Sequence, residues 1–403
     1  MPTSLLYSAI GMKGYRHQSG SQTRGVFLLR MTVPEYAVRC PLCKSKDVIR
    51  RGTVVRKLYC PPIGLRTSRL LVTTPRVQCR TCPGVRTVQL PQVVPHKNHT
   101  KSFVRLVVDL RKVMTIVDVA HYLGVSEGLI RSIDKTYLGR RFSKPKLRRL
   151  KSLAIDEISI RKGHKYITIV MDLASGAVVF VGDGKGEKAL IPFWKRLRSS
   201  HAKIRAVATD MSSAYYKAVR TNLPDATHVF DRFHIVKLMN DKLTALRRQL
   251  FREADESQKG VLKGTRWLLL KNPQNLDDDR NEQQRLQAAL TLNEPLAVGY
   301  YLKEDLRQIW EQNGKRAAGK FLTNWCRRAT ASGIKVLQTM ANTLHQHRAG
   351  ILAWYDYQIS TGPLEGLNNK IKTLKRQAYG FLDLEYFKLK LYALHLAKFE
   401  LIG

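Results

Sequence analysis

Two aspartates lie in apolar stretches where a carboxylate is unusual. Asp156 interrupts the stretch at 153–160, and Asp210 ends the stretch at 204–210. A carboxylate in an apolar strand is costly unless a cation compensates it. An acid at the carboxyl end of an α/β strand also lies where such sheets bind ligands. If the two strands are neighbours, the carboxylates converge, and a hard divalent cation relieves their repulsion.

A third acid, Glu365, opens a stretch of helical period at 360–380. One face of this predicted helix is apolar and carries Leu367, Ile371, Leu374 and Ala378. A second face carries Glu365 with Asn369, Lys372 and Arg376. Taken alone, the pattern also fits a basic surface helix. Together with the two aspartates, Glu365 completes three acids suited to two magnesium (or manganese) ions. Such ions activate a water or a 3′-hydroxyl in phosphoryl transfer.

The elements that would hold these acids form a mixed α/β pattern. Strand-like stretches at 153–160, 165–173 and 177–182 are followed by a helix, the stretch at 204–210, a second helix and a strand at 226–230. Residues 235–352 are helical in pattern throughout. The sequence therefore predicts a mixed sheet whose second and third acids are separated by a large all-α insertion.

Four of the six cysteines form two C-x-x-C pairs, Cys40 with Cys43 and Cys79 with Cys82. Between the pairs, the sequence alternates like two short strands. Two such turns around a hairpin predict a zinc ribbon with four thiolate ligands, and the metal would be a condition of folding. A redox dithiol is the alternative. Cys60 and Cys326 fit buried apolar thiols, and the polar residues 15–25 fit a loop.

Helical patterns at 102–113 and 115–138 follow the cysteine pairs. A break at Gly124 and a capping residue at Ser126 predict a helix-turn-helix, with Arg131 and Lys135 directed at a major groove. Two unrelated short helices would give the same pattern. A basic linker at 140–151, containing Arg148 and Arg149, fits a segment that follows a phosphate backbone.

The net charge indicates a polyanionic partner. The chain has 70 Lys and Arg against 31 Asp and Glu, a formal charge of +39. Residues 39–151 hold 26 of these bases and only 5 acids, so much of the excess lies in the cysteine-rich and helical front. Such an imbalance favours nucleic acid, because neutralised phosphates release counterions. We find no apolar run of membrane-spanning length and no signal pattern, which predicts a cytoplasmic, nucleoid-associated protein.

Some residues have both a structural and a functional interpretation. Trp267, Trp310 and Trp325 lie in the helical stretch, where each fits a core position or a platform that stacks on an unpaired base. Glu157 neighbours Asp156, but strand alternation directs it to the opposite face.

The chain resembles the ISL-three family of insertion-sequence transposases over nearly its whole length. The resemblance rests on the paired C-x-x-C ribbon, the helix-turn-helix, I-D-E at 155–157, A-T-D-M-S-S-A-Y at 208–215, D-R-F-H at 231–234 and G-P-L-E-G-L-N-N-K at 362–370. It implies a DDE-type enzyme with an RNase H-like catalytic fold and a metal-binding triad of Asp156, Asp210 and Glu365. It further implies a supporting role for Asp231 and His234, although a core position is an alternative for the histidine. The chain has Ser-Thr-Gly at 360–362, where Thr-Asn-Gly is expected.

The resemblance implies a DNA transposase that binds the inverted ends of its element, cuts 3′ ends and joins them to target DNA. A nuclease or resolvase of the same fold, or a non-catalytic regulator, are the alternatives. The expected partners are double-stranded DNA and a second copy of the chain, and the expected cofactors are magnesium and structural zinc. The predicted domains are an N-terminal segment (1–38), a zinc ribbon (39–96), a helix-turn-helix (97–150), two parts of a catalytic core (151–236 and 353–403) and the helical insertion (237–352).

Overall fold

The computed structural model describes residues 5–64, 66–161, 165–378 and 380–394, without the side chains of residues 5, 6 and 161. The chain divides into two compact units, Met1–Ser143 and Lys144–Gly403. The predicted outer bounds at residues 1 and 403, and Tyr379, lie outside the described residues. None of the helices in the described part of the chain is both long and apolar enough to cross a membrane.

The first unit combines a five-stranded sheet with four helices. Its strands are β1 (Arg16–Thr23), β2 (Val26–Thr32), β3 (Val48–Tyr59), β4 (Ser68–Cys79) and β5 (Val85–Thr87), and its helices are α1 (Leu5–Ile10), α2 (Lys101–Leu110), α3 (Ile116–Leu123) and α4 (Glu127–Phe142). The sheet order is β1-β2-β4-β3, and β5 pairs with β4. The predicted hairpin between the cysteine pairs is confirmed, because β3 and β4 pair antiparallel from Val48↔Cys79 to Tyr59↔Arg69.

The loop predicted at residues 15–25 is wrong, because Arg16–Thr23 forms β1 and pairs antiparallel with β2. All eight residues of β1 are solvent-exposed. With no face buried, the strand has no alternation of apolar and polar residues, and its composition resembles that of a loop. β2 pairs parallel with β4, so the segment at 1–38 shares a sheet with the cysteine-bearing strands.

Helices α2, α3 and α4 enclose a small core that includes Phe103, Val119 and Ile130. Thr115 forms a capping box with Asp118 at the start of α3. Gly124 ends α3 in the left-handed region at φ 58°, where glycine is unstrained. The hydroxyl of Ser126 accepts the N–H of Leu129 and caps α4. α3 therefore ends at Gly124 and α4 begins after Ser126, and the helix break that the sequence predicts lies at these two residues.

Arg69 joins the sheet to this helical group within the first unit. Its guanidinium donates a 2.9 Å hydrogen bond to the carbonyl of Gly124 and lies 4.4 Å from the ring centroid of Tyr59. The Tyr59 N–H donates to the Asn98 carbonyl at 2.8 Å. These contacts make the ribbon-like sheet and the helices one packed body, which agrees with the boundary after Ser143.

The second unit contains a mixed sheet and twelve described helices. Its strands are β6 (Ser152–Arg161), β7 (Lys165–Asp172), β8 (Val178–Asp183), β9 (Ala206–Thr209) and β10 (Thr227–Phe230). Its helices are α5 (Glu187–Ser200), α6 (Ser213–Asn222), α7 (Arg232–Glu253), α8 (Glu256–Leu262), α9 (Arg266–Leu270), α10 (Glu282–Leu292), α11 (Glu294–Arg307), α12 (Lys315–Ala331), α13 (Lys335–Gln346), α14 (Arg348–Leu352), α15 (Gly362–Gln377) and α16 (Leu384–Tyr392).

The sheet of the second unit has the order β10-β9-β6-β7-β8. β6, β7 and β8 pair antiparallel, whereas β9 pairs parallel with both β6 and β10. The predicted mixed sheet is therefore confirmed, and the first and fourth strands, β6 and β9, are neighbours, as convergence of the two carboxylates requires. Apolar side chains of β6–β9 and of α5 and α6, including Ile155, Val207 and Phe193, form the core on one face.

The helices from α7 to α14 form the all-α insertion, and α14 packs directly against β10. A Cβ atom at Gly350 would lie 2.4 Å from the ring of Phe230, so only glycine permits this approach. The imidazole of His347 packs edge-on against the same ring, with centroids 5.0 Å apart. Through Phe230, the insertion is held against the strand that leads into α7.

Candidate active site

Asp156 lies on β6, and Asp210 directly follows the end of β9, the parallel neighbour of β6. The register pairs Ala154 of β6 with Ala208 of β9, and two further residues along each strand reach the two aspartates. The Asp210 carboxylate accepts the N–H of Ser212 at 3.0 Å, which fixes the turn into α6. The structure therefore places both predicted carboxylates at the same edge of the sheet.

Four groups surround Asp156. Burial raises the pKa of its carboxyl group, and the charge of Asp210 raises it further; the Glu157 N–H, the charge of His234 and the amide of Asn368 act in the opposite direction. The Glu157 N–H donates to Asp156 Oδ1 at 2.8 Å, and Asn368 Nδ2 donates to Oδ2 at 3.2 Å. The carboxylate is thus half-buried, oriented by two donors and close to a second carboxylate. A bound cation would stabilise this arrangement.

Helix α15 carries Glu365 one turn before Asn368, so the two side chains are neighbours on the helix surface. Leu364, Leu367 and Ile371 are buried beneath the helix, whereas Glu365 is exposed. Asn368 is therefore the residue of α15 that contacts Asp156, and Glu365 lies beside this contact.

Asp231 fixes the start of α15 because its carboxylate is hydrogen-bonded to Thr361, the residue that precedes this helix. Its carboxylate is 2% exposed. Oδ1 accepts the N–H of Phe233 at 2.9 Å and caps α7. Oδ2 accepts the N–H of Thr361 at 3.0 Å and also the Thr361 hydroxyl. One buried carboxylate therefore joins the first turn of α7, which carries His234, to the residue that precedes α15.

Glu157 and Tyr215 form a polar group that sequence reasoning missed. The Tyr215 hydroxyl donates to Glu157 Oε2 at 3.3 Å and lies 3.2 Å from the hydroxyl of Thr168. Burial raises the pKa of Glu157, the Tyr215 hydroxyl lowers it, and the charge of Asp210 raises it again. Glu157 thus lies near the two aspartates although it leaves β6 on the other face. Tyr215 lies in the first turn of α6, shortly after Asp210, and that closeness in sequence was the available signal.

The four paired cysteines form a cluster whose sulfur atoms all lie within 4.8 Å of one another. Among the described residues, no other group of three or more His, Cys, Asp or Glu side chains is placed so that it could hold a metal ion, so Asp156, Asp210 and Glu365 do not form such a group. Cys43 Sγ and Cys79 Sγ are 3.5 Å apart. A tetrahedral zinc ion with Zn–S bonds of about 2.3 Å needs sulfur–sulfur distances of about 3.8 Å, so four thiolates placed in this way fit that ion.

Two tight turns hold these sulfurs. In the first turn, Lys44 adopts φ 65°, and its N–H donates to the Cys40 carbonyl at 3.0 Å. The Ser45 N–H lowers the pKa of the Cys43 thiol to about 6, which favours the thiolate form. In the second turn, the Thr81 hydroxyl lies 3.2 Å from Cys79 Sγ. Both turns direct backbone or hydroxyl groups at sulfur, as in thiolate metal sites.

The predicted DNA-contacting side chains are mostly accessible. They comprise Arg131 and Lys135 on α4, Arg148 and Arg149 before β6, and Asn369, Lys372 and Arg376 on α15. All are exposed except Lys135, which is half-buried.

The remaining singled-out residues divide by burial. Trp325 is buried and donates its indole N–H to the Leu302 carbonyl at 2.8 Å, and Trp310 is also buried. The core interpretation is confirmed for both. Trp267 is 64% exposed, with the guanidinium of Arg266 4.7 Å from its ring centroid. Cys60 is buried and Cys326 half-buried.

Comparison with known proteins identifies the family of the chain. The sequence profile of the ISL-three family, described as a transposase, matches residues 153–391. The chain is 31% identical over 359 residues to the transposase for insertion sequence element IS1001 of Bordetella parapertussis, covering 88% of each chain. The chain belongs to the ISL-three family of transposases. The predicted resemblance is therefore confirmed.

A second relative extends the match. The transposase is 27% identical over 386 residues to the transposase for insertion sequence element IS1557 of Mycobacterium tuberculosis, covering 89% of this chain and 86% of the relative. A solved structure of the Drosophila P element transposase strand transfer complex aligns with 75% of this transposase and 92% of that chain, at 10% identity and a TM-score of 0.37. The family match at 153–391 includes the sheet, the insertion and most of α15 and α16.

Proposed function

We propose that the protein cuts the ends of its insertion sequence and joins them to target DNA at a site formed by Asp156, Asp210 and Glu365. The observation that carries this proposal is the meeting of β6, β9 and α15. Asp156 lies on β6, Asp210 follows the end of the adjacent parallel strand β9, and α15 contacts Asp156 through Asn368. The strand order, with three antiparallel strands followed by two parallel ones, supports an RNase H-like core.

The donor set fits hard divalent cations such as Mg²⁺ or Mn²⁺. Carboxylate and amide oxygens are their preferred protein ligands. Asp156 is half-buried beside a like charge, and a carboxyl group in that position becomes more acidic when a cation binds. Asp156, Asp210 and Glu365 would hold the ions. Ions of this kind neutralise charge at a scissile phosphate and make a nucleophilic hydroxyl more acidic.

The proposed reaction has two phosphoryl transfers. In the first, a water oxygen loses a proton and bonds to phosphorus, the bond from phosphorus to the 3′-oxygen of the element breaks, and that oxygen takes a proton. In the second, the freed 3′-oxygen loses a proton and bonds to a target phosphorus, while the bond from that phosphorus to the target's own 3′-oxygen breaks and the leaving oxygen takes a proton. The protein's part is to orient the acids through Asp231, Asn368 and the Ser212 N–H.

We assign element-end recognition to the first unit. The four-cysteine cluster supports a zinc ribbon, and the capped pair α3–α4 supports a helix-turn-helix with Arg131 and Lys135 at the DNA. Arg148 and Arg149, together with the exposed side chains of α15, would contact phosphates near the cut. Cutting two ends together calls for at least a dimer on DNA.

Incubation of the protein with linear element-end DNA and magnesium tests the proposal. The substitutions Asp156→Asn, Asp210→Asn and Glu365→Gln should each abolish cleavage and joining while end binding persists. Cleavage without joined products would favour a nuclease or resolvase. End binding without cleavage by the unaltered protein would favour a regulator. Cleavage that survives all three substitutions would refute the site.

A further inference from the structure

A basic groove runs between α12 and α14 in the helical insertion, and none of its lining residues belongs to the acidic site. Arg316, Lys320 and Arg327 are exposed along α12 at spacings that place them on one face of the helix. With Arg348 of α14, they line a groove of about 550 Å³. Lys315 is the fifth cation of its lining, which contains no acidic residue.

Hydrogen bonds between α14 and α12 fix the side chain that forms one wall of the groove. The Arg348 guanidinium donates to the Gly319 carbonyl at 2.8 Å and to the Thr323 hydroxyl at 2.9 Å. A Cβ atom at Gly319 would lie 2.9 Å from Arg348 Nη2, so a larger residue would press on this guanidinium. Arg348 is therefore fixed in the groove wall, and its bonds clamp α14 to α12.

The groove is also fixed relative to the acidic site. Arg348 lies on α14, and Gly350 of the same helix packs closely against the ring of Phe230. Phe230 is the last residue of β10, and Asp231 follows it directly. The contact that seats α14 on the sheet thus holds the basic groove and the predicted catalytic edge in one rigid arrangement.

Three cations of the groove have no acidic partner among the described residues, unlike a neighbouring cation on another face of α12. Arg328, which leaves α12 on a different face, pairs with Asp305 at 2.6 Å, and Lys315 at the end of the groove pairs with Asp356. Arg316, Lys320 and Arg327 form no ion pair with any residue in the described ranges. An ordinary solvated face mixes both signs of charge, whereas clustered cations without partners favour a polyanion.

We propose that this groove binds the sugar-phosphate backbone of duplex DNA beside the cut site. The inference rests on the proposed function only for the identity of the polyanion. Arg316 and Arg327 are separated by about 16 Å along the helix axis, a length that spans more than one phosphate of a DNA strand. The groove therefore holds DNA by charge and position, without reading its sequence.

The salt dependence of DNA binding tests the groove. The full-length triple variant Arg316→Ala, Lys320→Ala, Arg327→Ala is compared with the unaltered protein on a 60-base-pair element-end duplex, without added magnesium, across about 50–200 mM KCl. Each lost phosphate contact lowers the slope of log K against log salt by about 0.9, so we expect a slope smaller by about 2.7 and affinity reduced roughly tenfold or more. An unrelated duplex should show the same change in slope.

A matched control removes the same charge elsewhere on the insertion. Arg248→Ala, Arg252→Ala, Lys263→Ala also deletes three exposed cations and should leave the slope nearly unchanged. An equal effect in both variants would assign the binding to net charge and overturn the proposal. An unchanged slope in the groove variant would overturn it as well.

This measurement is independent of cleavage. If the protein never cuts DNA, the proposed function is refuted, and the salt slope still tests the groove separately. Conversely, if the protein cuts DNA but the groove variant has an unchanged salt slope, the proposed function stands and the proposed DNA-binding groove is refuted. Thermal unfolding of both triple variants checks that a change in slope does not come from unfolding.

Discussion

Replacing Asp231 by asparagine keeps the size of the side chain and exchanges one carboxylate oxygen for an amide N–H₂ group. In the native protein, Oδ2 accepts two hydrogen bonds from Thr361, and Oδ1 accepts one from Phe233. An amide has one accepting oxygen. Whichever way it turns, it sets an N–H₂ donor against a backbone N–H. With Asp231 and Thr361 only 2% and 3% exposed, water has little access to repair the mismatch.

The expected loss of stability follows from the bonds. Hydrogen bonds to a charged acceptor contribute about 1.5–3 kcal/mol each, and an unsatisfied buried donor costs about 1–3 kcal/mol. Asp231→Asn should therefore lower the free energy of unfolding of the second unit by about 2–4 kcal/mol. Thr361→Val removes only the hydroxyl and should cost about 1–2 kcal/mol. Because both changes act on one contact, the double variant should lose less than the sum, with a coupling of about 1 kcal/mol or more.

Activity distinguishes positioning from stability alone. At temperatures where every variant is folded, Asp231→Asn should slow strand cleavage about 100-fold, because small displacements of a reacting group have effects of that size. DNA-end binding should persist. Thr361→Ser keeps both donors and should retain cleavage. Wild-type cleavage by a folded Asp231→Asn protein, or full additivity with Thr361→Val, would refute the idea that Asp231 positions α15.

Four further predictions address other parts of the chain. Removing metal with a chelator should unfold the four-cysteine cluster and abolish end binding; an unchanged amide spectrum would exclude a structural zinc. Trp267→Ala should lower the free energy of unfolding by less than about 1 kcal/mol but weaken cleavage if the ring stacks on a base. Trp325→Ala should lower the free energy of unfolding by about 3–5 kcal/mol. Unchanged cleavage in Trp267→Ala would exclude stacking. Burial lowers the pKa of His228 to about 4, so the folded state binds fewer protons than the unfolded state between about pH 6.5 and 4. Stability should fall by about 2 kcal/mol from pH 7.5 to 5, and His228→Asn should flatten that fall in pH-dependent denaturation. Gly350→Ala presses a methyl group into Phe230 and should cost about 1–3 kcal/mol or more, measured by urea unfolding, while cleavage weakens; a neutral effect would show that α14 is loosely seated.

The sequence was sufficient to predict the parts of the site that obey local rules. An aspartate that interrupts or ends an apolar strand is visible without a structure, and the parallel pairing of β6 with β9 brings two such residues to one edge. The cap at Ser126 likewise marks the start of α4. In these cases the local preference and the tertiary packing agree.

The sequence did not predict features that depend on long-range packing. Periodicity placed Asn369 beside Glu365, but the burial of Leu364, Leu367 and Ile371 rotates α15 so that Asn368 reaches Asp156. A helical wheel has no reference direction until the partner surface is known. The bond from Asp231 to Thr361 joins residues 130 positions apart, which no local pattern encodes.

That separation also sets an order of events during synthesis. At about 5–20 residues per second, Thr361 is added to the growing chain roughly 7–26 seconds after Asp231. Until then, the carboxylate that anchors α15 lacks two of its three hydrogen-bond donors, and Glu365 has not been made. The first unit has already been made and, under the proposed function, is competent to hold DNA. A chain interrupted in this interval would occupy an element end without cutting it and would compete with complete copies for the same site.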